Sequence, residues 1–73
     1  MDKEKFESGV LWKWMPEDSD YWMHEGGNIV QFVDGELTGF GAVVDEITEE
    51  GFTITYPNEE TQSHNYIDIF IFA

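Results

Sequence analysis

Gly51-Phe52-Thr53-Ile54-Thr55-Tyr56-Pro57 is the stretch that decides the fold class. Phe52, Ile54 and Tyr56 alternate with Thr53 and Thr55, so an extended backbone puts three apolar side chains on one face and two hydroxyls on the other. Pro57-Asn58 suits a turn, because Pro presets φ and Asn tolerates the position after it. On the other side, Glu49-Glu50-Gly51 closes a second turn. Upstream, Thr38 to Ile47 reads as a longer strand in which Gly39 and Gly41 permit a bulge or sharp bend. Asn28 to Val33 is another β-rich run, and it ends at Asp34-Gly35, a dipeptide suited to a tight hairpin. Downstream, Ile67 to Phe72 reads as the last strand.

The first third of the chain is harder to read. Val10, Trp12 and Trp14 alternate with Leu11, Lys13 and Met15, which predicts a strand ending at Pro16. A helix through Lys3 to Trp12 is the alternative, and Gly9 weighs against it. Pro16-Glu17-Asp18-Ser19-Asp20 followed by Tyr21-Trp22-Met23 predicts a short helical turn, with Pro early and acids at its N-terminal end. Gly26-Gly27 then breaks the chain. The expectation is one all-β domain over 1–73: a small, strongly bent antiparallel sheet or barrel core over 27–73, preceded by an N-terminal extension, 1–26, that carries a Trp cluster.

Gly27 to Asp34, Gly39-Phe-Gly-Ala-Val-Val-Asp-Glu-Ile47, Gly51 to Pro57 and Tyr66-Ile-Asp-Ile69 together resemble the strand order of SH3-like barrels of the Tudor and KOW type. The resemblance covers roughly residues 27 to 70 at the level of pattern. It implies a fold, and such barrels host many functions.

At 73 residues the chain sits where burial only just offsets chain entropy. There is no Cys, and His24 with His64 cannot complete a tetrahedral Cys/His zinc site. Stability must come from a core, which six Phe, three Tyr and three Trp supply. Met1 to Gly9 is charged and no apolar run approaches a membrane span, so the chain reads as cytoplasmic, without signal peptide or anchor.

Beyond Lys13 the sequence contains no Lys or Arg, while its formal net charge is −13. Such one-signed charge costs self-repulsion that a mixed surface avoids, and ordinary solubility does not require it. It disfavours nucleic acid and anionic membrane as partners and favours a basic protein surface. The carboxylates expected to engage that surface are Glu17, Asp18 and Asp20 in one loop, Asp34 and Glu36 in a turn, Asp45, Glu46, Glu49 and Glu50 around another, and Glu59 with Glu60 near a third. Tyr21 and Trp22 are expected as aromatic anchors beside them.

Carboxylates accept paired hydrogen bonds from Arg much as phosphates do. At alternate strand positions they stand about 6.6 Å apart, against one DNA charge per roughly 1.7 Å of helix axis. In size and charge bias the chain is similar to small acidic inhibitors such as phage uracil-DNA glycosylase inhibitors, anti-restriction and anti-CRISPR proteins. The leading expectation is a non-enzymatic, DNA-mimicking inhibitor or regulator of a nucleic-acid-binding protein, acting in the host cytoplasm if phage-encoded. The alternative is an SH3-like adaptor that takes a basic or Pro-rich peptide into pockets drawn from Trp12, Trp14, Tyr21, Trp22, Phe40, Tyr56 and Tyr66. Either works as a monomer or homodimer without a cofactor.

Two further features need placing. His24 and His64 lack a partnered nucleophile and read as surface or loop residues, and Glu17 to Asp20 lacks the ligand spacing of a calcium loop. If Ile67, Ile69 and Ile71 face inward, Phe70 and Phe72 lie on the opposite face, and cover by the N-terminal Trp cluster is favoured over a seam with a second copy.

Overall fold

In the computed structural model, which describes residues 1–72, the alternating segment is strand β5 (Gly51–Thr55). Phe52 and Ile54 are buried, while Thr53 and Thr55 point to the other side. Around it stand β4 (Glu36–Ile47) and β6 (Thr61–Asn65), and the chain before it forms helix α1 (Lys3–Ser8), β1 (Trp12–Lys13), β2 (Tyr21–Glu25) and β3 (Asn28–Val33). A 3-10 turn, Tyr66–Asp68, leads to β7 (Phe70–Ile71). All seven strands form one antiparallel sheet in the order β6-β5-β4-β3-β2-β1-β7. The sheet curls into a half-barrel, so that a single 3-10 turn carries the chain from one edge strand to the other.

Two irregularities in β4 produce the curl. The register with β3 shifts where Ile29 faces Ala42 but Val30 faces Gly39, which leaves Phe40 and Gly41 as a bulge. Gly41 has φ of 86°, and a Cβ there would lie 2.9 Å from Pro57 Cγ, so this bend accepts no larger residue without strain. A second shift, against β5, falls between Val44 and Glu46. At the start of β5, Gly51 is buried, and a Cβ there would overlap the His64 carbonyl of β6. The Asp34-Gly35 hairpin forms as read, with positive φ at both residues.

The concave side holds the core: Phe6, Trp12, Trp22, Ile29, Ala42, Phe52, Ile54, Tyr66 and Ile69. Phe6 stacks on Phe52 at 4.1 Å between ring centroids. Tyr66 donates its hydroxyl to the Thr48 carbonyl at 2.9 Å, tying the closing turn to the β4–β5 connection. Segment 1–26 is built into this architecture. Its two strands join the sheet, and three of its aromatics lie in the core.

Several local expectations are corrected. The N-terminal alternatives each hold for part of their range: Asp2 caps a helix that Gly9 ends, and only Trp12–Lys13 is strand. Tyr21-Trp22-Met23 is strand and not helical turn, because pairing with β3 satisfies its backbone and buries Trp22. Thr61–Asn65, read as no element, is β6. The Ile67–Phe72 strand shrinks to Phe70–Ile71, and Ile67 is 86% exposed on the 3-10 turn while Ile69 alone of the three isoleucines is fully buried.

Candidate functional site

The register divides the acidic residues into groups. Tyr21 at the start of β2 faces Phe32 near the end of β3, which faces Leu37 at the start of β4. The β1–β2 loop and the β3–β4 hairpin therefore share one end of the sheet, and they bring Glu17, Asp18 and Asp20 together with Asp34 and Glu36. Asp45, Glu46, Glu49 and Glu50 lie toward the other end of the long β4 and in the turn after it. Glu59 and Glu60 occupy the β5–β6 turn. The expected set thus forms three clusters along a curled sheet instead of one continuous array. All of these residues are exposed except the half-buried Asp18.

Their surroundings hold little positive charge. Among the described residues the one ion pair joins Lys3 to Glu49 at 3.6 Å, and it is solvent-exposed. Lys13 folds back over the loop that follows it. Its ammonium donates to the Pro16 carbonyl at 2.7 Å and the Asp18 carbonyl at 3.3 Å, and lies 5.2 Å from the Tyr21 ring centroid. It ties down the acidic β1–β2 loop through two carbonyls and forms no ion pair with the loop's carboxylates. Within that loop Asp18 Oδ1 accepts from the Asp20 N–H at 3.2 Å, an Asx-type turn that sets the local shape of the loop. The Asp45 carboxylate accepts from the Thr55 hydroxyl. Among the described residues no three His, Asp or Glu side chains gather as a metal-ligand set, and no helix is long and apolar enough to cross a membrane.

The aromatic candidates separate by face. Trp12, Trp22 and Tyr66 are core residues; Trp22, expected as an anchor, is only 7% exposed. Tyr21 is half-buried on the outer face, edge-on to Phe72 at 4.6 Å. Trp14 and Tyr56 line an open groove with Gln62, His64 and Asp68, and Phe40 stands edge-on to Tyr56 at 5.9 Å.

The histidines are not the loose surface groups expected. His24 stacks on Phe6 at 4.9 Å, and His64 packs between Trp14 at 4.2 Å and Phe52 at 5.7 Å. Burial pushes both below the ordinary histidine value, against a smaller upward pull from Glu7 on His24 and from Asp68 on His64. Burial likewise raises Tyr56 and Tyr66, helped by nearby carboxylates.

Sequence reasoning missed Leu37, 44% exposed beside the acidic hairpin, and favoured cover of Phe70 and Phe72 by the Trp cluster; these two are instead 40% and 49% exposed, with Phe72 edge-on to Tyr21. Their signal was alternation: Phe70 and Phe72 interleave with Ile69 and Ile71. No family model, curated protein or solved structure matches this chain.

Proposed function

We propose that the chain is a non-enzymatic inhibitor or regulator that binds the basic surface of a nucleic-acid-handling protein, in the manner of a phage-encoded DNA mimic acting on a host or defence protein. One observation carries this reading: exposed carboxylates stand at turns and strand ends of a single sheet, with one weak ion pair among the described residues and a net charge of −13. Carboxylates on hydrogen-bonded β-structure keep their spacing, and with Glu49 alone in an ion pair among the described residues the others are open to Arg and Lys. Long-range attraction then speeds encounter, so the reading requires an association rate that falls steeply with salt. Binding to a panel of nucleases and repressors at low and high salt, with duplex DNA as competitor, tests it. Salt-sensitive binding that DNA displaces is the expected outcome, and binding indifferent to both sinks the mimicry.

A second reading, an SH3-like adaptor for a basic or Pro-rich peptide, draws on the groove between Trp14 and Tyr56 with Asp68 at its side. Gln62→Ala with Asp68→Asn, both at exposed positions, separates the two. The adaptor loses peptide binding in this variant, whereas the mimic keeps its partner.

A further inference from the structure

We propose that the outer face of β7, β1, β2, β3 and the start of β4 is a docking surface for another protein's apolar patch fringed by Arg or Lys. The proposal rests on the reading of a basic partner and assigns the part of the molecule that anchors it. Trp12 and Trp22 face each other and point into the core. Their chain neighbours must therefore point out. Across the strands this places Phe70, Lys13, Tyr21, Phe32 and Leu37 in one outward row. A second row follows two residues along each strand: Phe72, whose N–H donates to the Leu11 carbonyl at 2.8 Å, then Leu11, Met23 and Val30. Apart from Lys13, every side chain in the two rows is apolar or aromatic.

The face is partly open to solvent, with three of its nine side chains exposed and the other six half-buried. Leu37, Phe70 and Phe72 expose 44%, 40% and 49% of their surfaces. Phe6 of α1 packs inside the half-barrel, and only the Gly9 end of the helix approaches the face, near Met23. Five strands at about 4.8 Å spacing and two rows about 7 Å apart give a patch on the order of 200–300 Å². That is within the few hundred Å² a monomer ordinarily exposes and well short of the roughly 800 Å² per partner of a standard interface. The patch therefore serves as an apolar centre, and the rest of the contact must fall on what surrounds it.

What surrounds it decides the occupant. Asp18 and Asp20 from the β1–β2 loop and Asp34 from the hairpin fringe the Tyr21–Phe32–Leu37 end, none in an ion pair, while Glu36, paired with Val33, turns to the other face of the sheet. A second copy would meet this fringe with carboxylates of its own. It has no cation to offer there: Lys13 is bound to backbone carbonyls, Lys3 pairs with Glu49, and Lys5 lies on α1. A cationic rim around an apolar patch is complementary on both counts.

The probe is a short synthetic peptide of alternating Leu and Arg, compared with one of alternating Ser and Arg, each titrated into the full chain and followed by amide chemical shifts. The Leu-Arg peptide should bind about ten-fold tighter, with shifts centred on Lys13, Tyr21, Phe32 and Leu37. L37S/F72S should erase that preference and leave the Ser-Arg affinity unchanged; if this variant does not fold, Leu37→Ser alone takes its place. D18N/D20N/D34N should weaken both peptides more than E46Q/E49Q/E50Q does. Equal binding of the two peptides overturns the docking face while the basic-partner reading stands, whereas binding of neither overturns both. Sedimentation of a wild-type dimer that L37S/F72S renders monomeric would assign the face to a second copy and overturn the proposal.

Discussion

Tyr21 and Trp22 are adjacent in the chain and have opposite environments, because β2 turns successive side chains to opposite faces of the sheet. Trp22→Ala opens a cavity in the core and should cost about 3–5 kcal/mol, whereas Tyr21→Ala should cost about 1 kcal/mol or less; urea denaturation of the two variants measures the difference. Trp22 is therefore a fold residue, and Tyr21 is the one available to a partner. Gly41 makes a second test at this scale. Ala there meets both a positive φ and the Pro57 ring, so Gly41→Ala should destabilise by about 2 kcal/mol or more. Part of that loss should be recovered in a Pro57→Ala background, where only the backbone term remains; a double-mutant cycle of denaturation midpoints gives the coupling.

Elements whose own residues specify them were legible in the sequence. β3 ends at a turn dipeptide and β5 alternates strictly, and both appear where the pattern placed them. β6 was not legible: Thr61-Gln-Ser-His-Asn has no apolar alternation, and its strand state comes from pairing with β5 at five positions. The closing segment misled for a related reason, since reaching the far edge of the sheet requires a 3-10 turn that places Ile67 in solvent. For the candidate site, the turn positions of the carboxylates were legible but their grouping was not, because it depends on which strand ends coincide. The short helix shows how far the N-terminal segment belongs to the fold. Asp2 accepts from the Lys5 N–H at 2.9 Å, so Asp2→Ala should cost about 0.5–2 kcal/mol. Phe6→Ala, which removes the helix's one core side chain, should cost about 3–5 kcal/mol. Thermal denaturation ranks the pair.

At the scale of the molecule, two consequences of charge and burial are measurable. Repulsion among carboxylates with few cations opposes folding, so added salt should raise the melting temperature, contrary to a protein held by surface ion pairs. His24 and His64 set the pH response. Above the ordinary histidine value of 6.5 both states are neutral, and the stability from their burial is fully present. As pH falls below that value, the unfolded chain takes up protons that the stacked rings resist, so stability declines toward their lowered folded values. Denaturant midpoints should therefore drop from about pH 7.5 to about pH 5.5, and His24→Phe with His64→Phe should flatten the slope.

The pairing of Trp12 with Ile71 also bears on how the chain reaches this state. The β2–β3, β3–β4, β4–β5 and β5–β6 pairs each join neighbours across a short turn, whereas β1 and β7 must close nearly the whole polypeptide into a loop. The entropy of that closure is recovered only once the intervening meander is in place. Assembly should proceed from the central hairpins outward, with the Trp12–Ile71 contact formed after the transition state. Conservative substitutions at Ile71 should therefore accelerate unfolding while leaving the refolding rate almost unchanged, and substitutions at Ile54 should slow refolding.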